Sequence, residues 1–154
     1  MTEAPREEHG SLEPVVQAMD EGECLRLIAQ HEVGRIAYNG RFGPTVLPVN
    51  YRLFERSIVF RTDADSPLDE DLRTGIADAE YKVAFEIDDL DPKTREGWSV
   101  LIQGAVHHVT DAEERAAVEQ AGVTPWPGGR KDLFLRVLPT RITGRHITRS
   151  AVER

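Results

Sequence analysis

At 154 residues the chain suits one domain with one core, and its net charge of −8 argues against nucleic acid or an anionic membrane as main partner, since both demand a basic face. A single cysteine, Cys24, leaves no internal disulfide and no thiolate metal cluster. No apolar run is long enough to cross a bilayer and Met1–Asp20 has no apolar signal-peptide core, so the expected location is cytoplasmic.

Residues 1–19 are polar, charged and aperiodic, which predicts a disordered arm before a domain over 20–148, with 149–154 as a tail. A helix is expected near 20–32: Asp20 and Glu23 have capping-box spacing, Leu25 and Ile28 share a face, and Gly34 can stop it. "RIAY" and "TVLPVNY" read as strands around a turn from Asn39-Gly40 to Gly43-Pro44. Pro48 cannot donate to a ladder, so it marks an edge, a bulge or a bend around something. "SIVFRT" is a third strand, followed by an acidic segment in which Ser66-Pro67 can start a helix.

"YKVAFEID" alternates, with Tyr81, Val83, Phe85 and Ile87 on one face and Lys82, Ala84, Glu86 and Asp88 on the other. The loop "DLDPKTREG" leads to a long strand, "WSVLIQGAVHHVT", then to a helix in "DAEERAAVEQAG" with Asp111 and Glu114 as its capping box and Gly122 as its stop. "VTPWPGGRKD" is a loop, and "LFLRVLPTRITGRHI" holds one or two closing strands. Six or seven strands with two or three short helices predict a mainly β (α+β) fold, an antiparallel sheet curled into a barrel.

Catalytic templates are mostly absent. There is no Gly-Lys-Ser phosphate loop, no dinucleotide fingerprint and no helical His-Glu zinc pair. His107 and His108 are adjacent in a strand and point to opposite faces, so they cannot share a metal. Asp88, Asp89 and Asp91 lack EF-hand spacing, and Pro92 breaks the register; no metal is expected. Trp98 and Trp126 each follow a loop, where a Trp is more often a core plug than a flat wall for an aromatic ligand.

Taken in order, "VGRIAYNG", "PTVLPVNYRLFERSIVFRT", "VAFEIDDLDPKTREGWSVLIQGAVHHV", "PW" and "ITGRHI" resemble the pyridoxamine 5′-phosphate oxidase-like, FMN-binding split-barrel family, in particular small actinobacterial-type members with a Gly-Trp-Ser-Val segment. The similarity runs from about Cys24 to His146. It implies a six-stranded split barrel and a homodimer with two flavin (FMN) sites at the subunit interface. It further implies that the strand holding Leu47, Pro48, Val49 and Asn50 lies along the flavin ring, and that Arg61 and Thr62 meet the ribityl-phosphate tail. Ser66 falls in the following phosphate segment. Ser99 would touch the flavin, Trp98 would wall the site, and the Trp126 loop would approach from the second subunit.

One stretch departs from the family pattern. Pro67 and Leu68 stand where phosphate-binding cations are expected, amid Asp63, Asp65, Asp69, Glu70 and Asp71. Each charged hydrogen bond lost is worth about 1.5–3 kcal/mol. Arg61 reads either as a bidentate phosphate clamp or as an exposed partner of Asp63 or Asp65; Arg73, or the Arg130-Lys131 pair of a second subunit, could substitute. The resemblance points to a flavin-dependent oxidoreductase acting on a small molecule. Its alternatives are a non-catalytic split-barrel binder of a planar ligand, and a deazaflavin protein whose anionic tail would need "GGRK" (128–131) or "RITGR" (141–145).

Overall fold

The computed structural model describes residues 12–64, 66–73, 81–128 and 131–151. Its elements are β1 (Leu12–Met19), α1 (Glu21–Ile28), β2 (Val33–Gly40), β3 (Gly43–Phe54), β4 (Ser57–Thr62), α2 (Pro67–Leu72), β5 (Tyr81–Asp91), β6 (Glu96–His108), α3 (Ala112–Glu119) and β7 (Leu133–Ala151). The strands form one antiparallel sheet in the order β1-β7-β4-β3-β2-β5-β6, and β6 pairs back onto β7. The closed ring therefore contains the six strands β2 to β7, and β1 adds a seventh to the outer half of β7.

Alternation decides which side chains fill the ring. Ile36, Tyr51, Phe60, Phe85, Ile87, Val100, Ile102 and Leu135 point inward and are almost wholly buried. Their partners in sequence, such as Arg35, Ala84, Glu86 and Leu101, lie on the outer face. Asp20 caps α1, accepting from Glu23 N–H at 2.8 Å, and Cys24 and Ile28 bury against the barrel. The Tyr51 hydroxyl donates to Ile28 C=O at 2.6 Å, tying that helix end to β3. Asp111 caps α3 in the same way, accepting from Glu114 N–H at 3.0 Å. Val118 of α3 closes a second small core with Val59, Val109, Val123 and Phe134.

Four expectations are corrected. Residues 12–19, read as part of a disordered arm, form β1, because β7 runs on past β4 and offers on that edge an open ladder that satisfies their backbone groups; residues 1–11 lie outside the described residues. The tail read from 149 onward begins as strand, since β7 runs to Ala151. "DLDPKTREG" is largely strand, with a tight tip at Pro92–Arg95 where Arg95 adopts φ 58°. Gly34 does not stop α1, which ends at Ile28. It sits in β2 under the Phe85 ring, where a Cβ would come within 2.2 Å of Phe85 Cε1 and 3.1 Å of Ile87 Cγ1.

Gly34→Ala is accordingly expected to destabilise the protein by about 1–3 kcal/mol through overpacking, read as a lowered denaturation midpoint. Gly22→Ala is the control: its Cβ would meet only Asp20 Oδ1, at 3.5 Å, so it should leave stability unchanged or raise it by about 0.5–1 kcal/mol. A Gly34→Ala protein as stable as wild type would contradict this packing.

Candidate functional site

The ladder between β3 and β4 is short. It pairs only Tyr51–Phe54 with Ser57–Phe60, although β3 begins at Gly43 and β4 continues to Thr62. Before Tyr51, β3 has β2 on one side and no strand on the other among the described residues. The Tyr51 N–H donates to Glu32 C=O at 2.9 Å, which sets the phase of the strand. Val49, Leu47 and Thr45 direct their backbone groups toward β2, while Asn50, Pro48, Val46 and Pro44 direct theirs away. Both prolines thus occupy positions whose missing N–H costs no ladder bond, and Pro48 marks an edge, as one of its sequence readings has it. The free edge presents the N–H and C=O of Val46, the C=O of Pro48 and the N–H of Asn50. Val46 is 61% exposed.

Across this gap lie the end of β4 and the start of α2. Arg61 and Phe134 pair across β4 and β7, and Thr62 pairs with Leu133. The hydroxyls of Thr62 and Ser66 are hydrogen-bonded at 2.9 Å. Ser66 also caps α2 by accepting from Asp69 N–H at 3.2 Å. The loop after α3 enters from the side: Trp126 N–H donates to Asn50 Oδ1 at 2.8 Å, and its indole is 70% exposed. The Arg52 hydrogen bond holds the Glu32 carboxyl below its usual range, with a smaller contribution from the Trp126 side chain beside it. Leu47, Pro48, Val49, Asn50, Arg61, Thr62, Ser66 and Trp126 therefore gather around one gap in the sheet.

Trp98 and Ser99 do not join them within one chain. Trp98 is buried in the barrel, edge-on to His31 with ring centroids 5.0 Å apart, which is the plug arrangement. Ser99 pairs with Asp88 on the outer face. It sits three strands from β3, a separation of ~14 Å at about 4.8 Å per strand. Trp126, expected from a second subunit, contacts Asn50 of its own chain.

The acidic segment is paired rather than bare. Asp63 accepts from Lys131 Nζ at 3.1 Å. Asp69, fully buried, meets both Arg73, at 2.6 Å and 3.2 Å, and His108 Nε2, at 3.1 Å. Arg41 reaches Glu70 at 2.9 Å and Asp71 at 2.7 Å. Asp65 and Arg130 lie outside the described residues. Lys131, Arg73 and Arg41 are thus all in ion pairs, a commitment sequence reasoning missed because most of the partners are far apart in the chain. His107 and His108 do face opposite ways, His107 toward Glu114 of α3 at 2.9 Å. Leu68 corrects the phosphate comparison: it is buried in the main core, because helix α2 turns it inward, whereas Pro67 is exposed.

Glu86, on the outer face, is a perturbed acid. Arg35 Nη1 lies 3.4 Å from Glu86 and 3.3 Å from Asp88. Burial, followed by the hydrogen bond and charge of Asp88, pushes Glu86 from 4.5 up to about 7 against the opposing pull of Arg35.

Comparison with known proteins agrees with this architecture. Residues 20–146 match the family described as pyridoxamine 5′-phosphate oxidase. An uncharacterized protein of Mycobacterium tuberculosis is 33% identical over 129 residues, covering 84% of each chain. The FAD binding protein of Mycobacterium smegmatis superposes with a TM-score of 0.70 at 31% identity, covering 84% of this chain and 98% of its own. A FAD-binding protein of Mesorhizobium loti shares the fold, with a TM-score of 0.68 at 19% identity over 88% of this chain and 99% of its own. The chain belongs to the pyridoxamine 5′-phosphate oxidase family.

Two predictions come from these contacts. Leu68→Lys should lower stability without tightening FMN, because its ammonium would enter the core. The exposed Pro67→Lys should tighten FMN about tenfold or more over riboflavin, if the tail passes α2; parallel titrations of both ligands decide. For Glu86, a folded-state pKa above the unfolded one means stability that is fully present below about pH 4.5 and lost as pH rises toward 7. Glu86→Gln should remove that decline, so denaturation midpoints at pH 5 and pH 8 should converge relative to wild type.

Proposed function

We propose that this member of the pyridoxamine 5′-phosphate oxidase family binds a flavin along the free edge of β3 and acts as a flavin-dependent oxidoreductase on a small molecule. The observation that carries the reading is the ladder gap itself. A strand that turns two prolines and the N–H groups of Val46 and Asn50 away from its neighbour is suited to the polar edge of a planar ring. The exposed Trp126 indole beside Asn50 offers an aromatic wall, where stacking adds on the order of 1 kcal/mol beyond burial. The similarity to a FAD binding protein at 31% identity supports a flavin, and FMN is the form proposed.

A bound flavin supplies the electron transfer. The chain's residues bind and orient it. Val46 and Asn50 would donate to the ring edge, Pro48 C=O would accept from it, and the Thr62–Ser66 hydroxyl pair would receive the tail. A homodimer belongs to the same proposal. Val46 and Leu101 leave apolar surface exposed on the outer face, and a second copy is the source from which Ser99 could reach this gap. A cytoplasmic location is consistent with the absence, among the described residues, of any helix long and apolar enough to cross a membrane.

A second reading, a non-catalytic flavin binder, is favoured by the ion pairs that occupy the cations around α2. A deazaflavin is less well served, since Lys131 of the 128–131 segment is paired with Asp63. The visible spectrum of the purified protein with riboflavin, FMN and FAD tests the proposal. Binding, with reduction by NAD(P)H and reoxidation by a substrate, is expected for the enzyme. Binding without turnover would favour the binder, and no binding at concentrations on the order of tens of micromolar, where ΔG is only about −6 kcal/mol, would contradict both. Sedimentation at micromolar protein should show a dimer.

A further inference from the structure

The guanidinium at the end of β4 has its donors already placed. Arg61 donates through Nε to Lys131 C=O at 2.8 Å and through Nη1 to Val123 C=O at 3.2 Å. Its Cζ stands 4.9 Å from the centroid of the Phe134 ring, a residue of the neighbouring strand. Val123 and Lys131 flank the stretch that carries Trp126. The Trp126 N–H is itself held by Asn50 Oδ1, on the free edge of β3. One side chain thus grips the loop at both ends while Asn50 grips it between them.

We propose that Arg61 is a positioning residue that sets the Trp126 wall beside the ring-binding edge, rather than a clamp for a phosphate. The inference rests on the flavin reading for its ligand but not for its geometry. A planar fork with several fixed N–H donors can serve two carbonyls while lying over an aromatic face, which a single ammonium cannot reproduce. Turning that fork toward a phosphate would strip both part-buried carbonyls of a donor, and unpaired buried acceptors are costly. The nearby hydroxyls of Thr62 and Ser66 are placed to meet a tail without disturbing Arg61.

The test compares wild type, Arg61→Lys and Arg61→Ala in titrations with FMN and with riboflavin, together with hydrogen exchange at the Trp126 amide. The expected result is that both variants weaken FMN and riboflavin by the same factor, about tenfold. Trp126 amide exchange should accelerate at least as much, with or without flavin. A selective loss of FMN, with riboflavin binding and Trp126 exchange unchanged and Arg61→Lys restoring FMN, would overturn the proposal in favour of the phosphate clamp. If wild type binds neither ligand, the flavin reading fails, yet the exchange arm still decides: unchanged exchange in both variants overturns the positioning role, and faster exchange upholds it. Should Arg61→Ala not fold, Arg61→Lys carries both readouts.

Discussion

Everything in this molecule depends on the closure of one sheet through β7. That strand bonds to β4 through its first five residues and to β6 along most of its length, and receives β1 at its far end. Closure at this radius requires a bend, and the register shift between Gln103 and Gly104 supplies it. Glycine is needed there because a Cβ would stand 2.0 Å from Leu138 C=O. Gly144 meets a similar demand beside Cys24 and Met19, where α1 and the end of β1 press on the barrel.

Because β7 carries the closure, the opposite side of the ring need not be continuous. β3 and β4 share only a four-residue ladder and then part, and the gap accommodates the features a ligand could use. Prolines that would break a central strand are harmless at Pro44 and Pro48, since their backbones face outward. The acidic residues around α2 do not flood the gap with uncompensated charge: Arg41, Arg73 and Lys131 pair with them. Buried Asp69, flanked by Arg73 and His108, docks α2 against β6 and so holds the Ser66 hydroxyl near Thr62.

Where a physical rule acts locally, the sequence was legible. Asp20 and Asp111 cap their helices, β5 buries Val83, Phe85 and Ile87, and Pro48 lies at an edge. The failures share a cause, which is that the deciding partner is distant in sequence. β1 has no clear alternation in "LEPVVQAM" and exists because β7 offers it a ladder. β7 passes through Pro139 and Gly144 unbroken, accommodating one extra residue, Thr140, where its register against β6 shifts. Leu68 matches a cation position in a linear comparison, yet α2 rotates it into the core. For Arg61 the two readings were clamp or ion-pair partner; the hydrogen bonds observed are to the C=O groups of Val123 and Lys131, sixty to seventy residues away. Trp98 followed the commoner behaviour of a buried Trp; Trp126 did not, and is exposed with its N–H on Asn50.

The central claim is that the outward edge of β3 is the ring-binding surface, and backbone amide exchange along that strand tests it residue by residue. Before flavin is added, the N–H groups of Leu47, Val49 and Tyr51, which face β2, should already be protected, while those of Val46 and Asn50 should exchange freely. Saturating flavin should protect Val46 and Asn50 and leave the other three nearly unchanged. Flavin that binds without altering exchange at Val46 and Asn50 would contradict the account and place the ligand elsewhere on the barrel.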